Sequence, residues 1–459
     1  MAGQPETAAA KKPAPKRSAR AALGNLVTKI VIYPLAFLAT IVVDRTLGPH
    51  DRGLFAFLLL VGNFAMPLMT FGFGGAVIYY ISSGDYESEE VSFTALLFGL
   101  AIGLVCAGIT YGLWRLDWLG ETGGQTPLRE LLAMLAIVPL QGVQLMAGRV
   151  LFGESRFGTS NWVRIARSVA NPLLLVVLVV VAKMGLWGAV LATVVLNVGV
   201  TLSMLWVLSP TRLMWRYHHG FFVEGMRYGL KMWVGDLATR ANLRLDQVLL
   251  GIFAPASALG NYSVAVRLAE FLWIGPDAVT PVLFNRLAAA KDDEQRIALT
   301  ARIHRVGLAF LLVIAIFAGV AGWWVIPFVL GEKFAEANLL FELLLFGTVG
   351  FYSSKVITKY FAAAGRPDLA GRLGIYSAIA GTVLYAVLIP LGATVGAAIA
   401  SSLAYIMFSV IAWRMYVRII APAPTQLFAF SRDDVTWVTS QVRNLMQRRR
   451  RRATPAEEG

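Results

Sequence analysis

Long apolar runs, most of them bounded by glycine, proline or a short charged stretch, occupy the chain from residue 22 to residue 417. Each is near the roughly 20 residues that a helix needs to cross a hydrocarbon core. The pattern predicts spans at 22–46, 53–81, 90–115, 128–151, 160–183, 185–208, 223–253, 258–287, 303–330, 335–362, 368–391 and 394–417. The expected fold is an all-α polytopic membrane protein of about twelve transmembrane helices, in two pseudo-symmetric six-helix lobes around a central cavity. The first run is longer than the roughly 7–15 apolar residues of a signal peptide and ends at Asp44 and Arg45 with no small-residue cleavage pattern, so it reads as a span.

The polar intervals divide the chain. Residues 1–21, with Lys11, Lys12, Lys16, Arg17 and Arg20 around two prolines, read as a disordered basic cytoplasmic tail. Residues 22–208 form the N-terminal lobe, 209–222 a cytoplasmic loop, 223–417 the C-terminal lobe, and 418–459 a cytoplasmic tail. In that last tail Ser431 can cap a surface helix whose Val435, Val438, Val442 and Leu445 recur at helical spacing ahead of Arg448–Arg452. Basic residues such as Arg156, Arg164, Arg212, Arg286, Arg302 and Arg366 fall on one side of this topology, which places both termini in the cytoplasm.

The halves also resemble each other at a shift of roughly 208 residues. Gly153–Gly158 parallels Gly365–Ala370, Gly188-Ala189 parallels Gly396-Ala397, and Gly53 after Pro49 parallels Gly260 after Pro255. A parallel repeat of this kind places a substrate route between the halves.

Composition sharpens the picture. Of 459 residues 57% are hydrophobic and 15% charged, and the mean hydropathy is +0.65, against about 45–50% and 25% in soluble chains. Short loops leave no room for an ATPase, glycosyltransferase or nucleic-acid module, so nucleic acid is not an expected partner. Lysine and arginine number 41 against 27 acids, a net charge of +14, which suits anionic lipid through the basic tails or an anionic substrate. Cys106 is the single cysteine and the four histidines have no ligand spacing, so no metal or cofactor is expected.

Charges at membrane depth are the candidate chemistry, because they cost several kcal/mol and so face an interior or a cavity. In span seven Asp236, Arg240, Arg244, Gln247 and Gly251 fall within about 80° of one another. Asp236 and Arg240 are an i,i+4 pair, leaving Arg244 without a partner on its own helix. The face is either a set of interhelical salt bridges or a cationic wall for a phosphate-bearing substrate. Span eight aligns Ser263, Arg267, Glu270 and Asp277 ahead of Pro281. Glu270, about 15 Å from the outer end, is either a proton or sodium coupling site or the neutralising partner of Arg267 or a span-seven arginine. Asp277 and Asp236 are the other ion-coupling candidates. Lys29 in span one, and Lys355 and Lys359 in span ten, either line a cavity or snorkel to the interface. Arg164 and Arg167 in span five read as a belt for lipid phosphates. The Gly72-Phe73-Gly74-Gly75 stretch marks a bend or a close helix contact.

Three segments together resemble a known family. They are Leu47-Gly-Pro-His-Asp-Arg-Gly-Leu-Phe-Ala-Phe at the first hairpin, the Phe-Gly-Phe-Gly-Gly-Ala run from Phe71, and Leu259-Gly-Asn-Tyr-Ser-Val-Ala-Val-Arg-Leu-Ala-Glu opening the second half. The chain is similar to the oligosaccharide flippases of bacterial polysaccharide biosynthesis, within the superfamily that includes multidrug and toxin extruders. The resemblance covers residues 22–417 and implies two six-helix lobes, a central cationic cavity and alternating access of a polyprenyl-diphosphate-linked oligosaccharide in the bacterial cytoplasmic membrane. It also implies membrane lipids and other polysaccharide assembly proteins as partners. Three further readings stand beside it. A drug extruder would favour an acidic cavity, a membrane polymerase or ligase needs a larger outer loop than Leu116–Pro127, and a scaffold has no use for buried charges.

Overall fold

The computed structural model describes residues 37–38, 41–208, 216–274, 283, 286–287, 290, 292–420, 434 and 436, apart from the side chains of residues 234–236, 239 and 367. Among the described residues there is no strand. Eight helices among the described residues have the length and apolarity to cross a membrane. Their large outward side chains are apolar, with Trp206 79% and Phe328 83% exposed, while polar residues such as Gln144, Asn197 and Asp246 are buried. That inversion of the soluble pattern is what a hydrocarbon solvent dictates. The protein is an all-α, polytopic membrane protein.

Two compact units divide the chain: Met1–Leu119 with Gly123–Trp233, and Gly120–Thr122 with Val234–Gly459. The small excursion of residues 120–122 into the second unit has a local cause. The Thr122 hydroxyl donates to the Ala254 carbonyl at 2.8 Å, and Gly120, in a left-handed conformation at φ 75°, lies against the backbone of Ile252 where a side chain would not fit.

In unit 1 the helices are α1 (Ile41–Met69), α2 (Phe73–Ser83), α3 (Ser88–Arg115), α4 (Leu128–Gly153), α5 (Phe157–Val181) and α6 (Gly185–Leu208), followed by the first part of α7 (His219–Phe253). Between the expected spans one and two the backbone of α1 passes through a single left-handed residue, Gly48. Asp44 and Arg52 flank it and pair at 2.5 Å, with side chains 1% and 2% exposed. The ion pair is thus buried.

The glycine run at Gly72 is both bend and contact. Gly72 is left-handed at φ 73°, and Phe71 before it has φ 48°. A Cβ on Gly72 would collide with the Gly229 backbone, and a Cβ on Gly229 with that of Gly72. The break exposes carbonyls, and the Trp233 indole N–H donates to one of them, Leu68, at 2.7 Å. Phe73, Val77, Met146, Leu196 and Phe221 then pack as the core of the unit.

Unit 2 holds the rest of α7, α8 (Ala256–Glu270), α9 (Asp293–Leu330), α10 (Glu336–Ala363) and α11 (Pro367–Ile420), which is broken at Ala393 by φ 44° and ψ −118°. Its core gathers Ile357, Tyr360, Phe361, Leu373 and Tyr416.

Both units use the same local devices. After α4, Arg156 N–H reaches Leu151 O at 2.9 Å and Ser155 is left-handed; after α10, Arg366 N–H reaches Phe361 O at 2.9 Å and Gly365 is left-handed. Lys183 turns α5 into α6 at φ 54°, as Ala393 turns the two limbs of α11. Gln144 Nε2 donates to Thr201 Oγ1 at 2.8 Å, and Ser354 N–H to Ser409 Oγ at 3.2 Å. Gly99 lets α4 approach at Gly142 as Gly307 lets α10 approach at Tyr352.

Candidate functional site

The candidate site residues that the structure brings together lie in unit 2. The chain turns between α7 and α8 at Ala254, with Pro255 as the N-cap residue of α8, so the two helices run antiparallel. Arg244 stands nearer the turn than Glu270, but helical side chains lean toward their own N-terminus. The long arginine therefore reaches away from the turn and the glutamate toward it. They meet with both prongs of the fork engaged, Nη1 to Oε1 at 2.8 Å and Nη2 to Oε2 at 3.3 Å. Their side chains are 38% and 27% exposed, so this is a partly open pair.

One turn earlier on α7, Arg240 is half-buried and in no ion pair among the described residues. Arg267 lies one turn before Glu270 on α8 and is half-buried. On α10, Lys355 sets its ammonium over the Trp273 ring at 4.2 Å and near the Phe351 ring at 5.7 Å, a geometry in which the ring quadrupole attracts the cation. Trp273, Phe351 and Tyr405 form a buried cluster with centroids 4.8–5.7 Å apart. The Trp273 indole is fixed by donation to Thr348 O at 3.2 Å. Tyr405 stands close enough to Arg244 and Glu270 to feel both charges. Lys359 follows one turn after Lys355, half-buried. Lys29 and Asp277 lie outside the described residues, and Asp236 is in α7 with its side chain outside them.

Helical spacing leaves Arg244 without a partner on its own helix, and the structure supplies the carboxylate from α8: of the two expectations for Glu270, the neutralising partner of a span-seven arginine is the contact observed, with Arg244. Sequence reasoning passed over Asp246. This carboxylate is 1% exposed and accepts three hydrogen bonds: from Tyr262 Oη at 2.6 Å, from Ser401 Oγ at 3.2 Å and from the Gln247 N–H at 2.8 Å. Asp246 projects about 80° from Asp236 on the side away from Arg244, outside the polar face that the periodicity picks out. An acid in an apolar run was the available signal, and it pointed off that face. Nearby on the same helix, Asn242 accepts from Ser377 Oγ at 3.0 Å and donates to Gly374 O at 3.3 Å.

Chemically, the cluster offers an always-charged planar fork whose present occupant is a carboxylate, a second cation held on a ring face, and a buried carboxylate satisfied by hydroxyls. A planar anion with two adjacent oxygens can compete with Glu270 for Arg244, because carboxylate and phosphate present the same bidentate geometry.

Comparison with known proteins follows the same direction. Residues 42–339 match the family described as polysaccharide biosynthesis protein. A protein of Haloferax volcanii named "Probable low-salt glycan biosynthesis flippase" is 26% identical over 413 residues, 86% of this chain and 82% of that one. Among solved structures, an inward-facing multidrug resistance transporter of the MATE family covers 87% of this chain and 99% of its own at 16% identity, with a TM-score of 0.69. The lipid II flippase MurJ in an inward closed conformation covers 89% of each chain at 10% identity, with a TM-score of 0.71.

Proposed function

Because the chain belongs to the polysaccharide biosynthesis protein family, we propose that it is a flippase that moves a polyprenyl-diphosphate-linked oligosaccharide from the inner to the outer leaflet by alternating access, coupled to an ion gradient. It is a membrane transporter and not an enzyme. In this reading it sits in the cytoplasmic membrane with both termini inside, its lobes spanning residues 22–208 and 223–417.

The observation that carries the reading is the Arg244–Glu270 pair. A diphosphate cannot cross hydrocarbon without a counter-charge. It displaces Glu270 from the fork of Arg244, with Arg240, Arg267, Lys355, Lys359 and Lys29 as further cations for the second phosphate and the sugar acids. On the outer side Glu270, deprived of its cation and set beside phosphate charge, takes up a proton or sodium ion from outside. After the diphosphate has left, the return to the inward state carries that ion across, and Glu270 releases it inside as it pairs with Arg244 again. One carboxylate thereby answers both to substrate and to the gradient, as coupling requires. Asp236 and Asp277 remain secondary candidates for the ion.

The test is transport of a fluorescent polyprenyl-diphosphate oligosaccharide in proteoliposomes with an imposed gradient. Arg244→Ala is expected to slow flipping about ten- to hundredfold, since a charge-assisted bond is worth about 1.5–3 kcal/mol, and Arg244→Lys to restore part of it. Glu270→Gln is expected to flip without gradient dependence. Folded Arg244→Ala protein with an unchanged rate would refute the assignment.

A further inference from the structure

Unit 1 carries an arginine that the proposed cycle does not use. Arg167 lies ten residues into α5, about 15 Å from the first residue of that helix. Its Nη1 meets Gln144 Oε1 at 3.5 Å, a neutral acceptor at the limit of hydrogen-bond distance, and among the described residues no carboxylate pairs with it. Gln144 is itself held, its Nε2 donating to Asn197 O at 2.9 Å and Thr201 Oγ1 at 2.8 Å. The amide aims the guanidinium without neutralising it. A cation at such depth is costly until an anion reaches it.

The space beside Arg167 has the shape of a chain. Between α5 and α6 runs a groove of about 720 Å³, open to the outside of the unit. The tight turn at Lys183 makes the two helices antiparallel, so residues equidistant from it stand level. Trp162 and Trp206, 73% and 79% exposed, flank the groove at the end remote from the turn, where tryptophan marks a membrane interface. Further in, Arg167 faces Gly199, and a Cβ built on Gly199 meets nothing within 4 Å. Beyond them the walls are apolar as far as Leu174 and Val195. The side chain of Arg167 leans toward the N-terminus of α5, hence toward the tryptophans.

We propose that this groove is a binding site for one anionic phospholipid, with its phosphodiester on Arg167 and one acyl chain lying past Gly199 toward Leu174. A single arginine matches the single charge of a phosphodiester, whereas the diphosphate of a lipid-linked sugar carries more charge than this groove can meet. The proposal is independent of the flipping cycle, since none of its residues belongs to the Arg244 site.

Native mass spectrometry of the delipidated full-length protein, titrated with phosphatidylglycerol, tests it. The wild-type protein is expected to hold a lipid that diacylglycerol does not displace. Arg167→Met is expected to weaken that binding at least about tenfold, and Gly199→Leu to do the same with the charge intact, by filling the groove. Arg164→Gln, on the same helix but outside the groove, is expected to leave binding unchanged. The proposal is overturned if monodisperse Gly199→Leu protein binds phosphatidylglycerol as the wild type does, or if Arg164→Gln weakens binding as much as Arg167→Met, the mark of a diffuse basic belt. Displacement by diacylglycerol, or preferential retention of a polyprenyl phosphate, overturns it equally.

Discussion

Two arginines on long helices, Arg244 on α7 and Arg167 on α5, are met in different ways. In unit 2 both prongs of Arg244 are taken by Glu270, whereas in unit 1 Arg167 has only an amide oxygen at 3.5 Å. The first arrangement is self-sufficient and can exchange its internal anion for an external one. The second is incomplete until an anion arrives. A third pair marks the far end of this range. Arg305 donates to both oxygens of Asp434 at 2.8 Å, and Asp434 is fully buried. An ion pair with so little water around it has no room for exchange, and it holds Asp434 to α9. What the three teach is that openness, rather than charge, separates a fastener from a switch.

That ordering can be broken by experiment. The largest effect is expected at the fastener: Asp434→Ala leaves Arg305 against a dry contact, a loss of about 3–5 kcal/mol, to be read as a fall in the unfolding midpoint in detergent. A smaller change there than at Arg244 would reverse the order. Next comes the open pair, where a double-mutant cycle of Arg244→Ala and Glu270→Gln on stability is expected to give a coupling of about 1 kcal/mol, discounted for the exposure of both groups. A coupling several times larger would make it structural and would count against substrate exchange. Smallest is Arg167→Met, which in lipid-free detergent is expected to shift stability by less than about 0.5 kcal/mol while abolishing any extra stability conferred by phosphatidylglycerol. A large loss without lipid would mean that the Gln144 contact already satisfies the guanidinium.

Legibility in the sequence followed the range of the interaction. Helices bounded by glycine or proline turns were readable to within a few residues: expectations of 90–115 and 185–208 meet helices at Ser88–Arg115 and Gly185–Leu208, and the boundary expected between 391 and 394 falls at Ala393. The face bearing Arg240 and Arg244 was readable because 3.6-residue periodicity is a local property. Of the partners that arrive from another helix, Glu270 was readable as one alternative for a span-seven arginine, because it lies on the next expected span. Asp434 for Arg305 and Ser401 for Asp246 lie 129 and 155 residues from the groups they meet, and no spacing rule spans such separations. Nor does local spacing reveal that Asp44 and Arg52, on either side of Gly48, meet as a buried pair.

The crossing of α2 and α7 at Gly72 and Gly229 has a mechanical consequence. Two backbones that touch without side chains have no rotamers to freeze, so the contact fixes a spacing without demanding the ordering entropy that interlocked side chains would. Beside it the same two helices are geared by ring pairs, Phe73 with Phe221 at 5.5 Å and Tyr79 with Tyr228 at 4.7 Å, so the glycines set the spacing and the rings set the register. Trp233, whose indole reaches across to the Leu68 carbonyl, adds a hydrogen bond to that register, as Tyr86 does nearer the start of α7 by donating to Glu224.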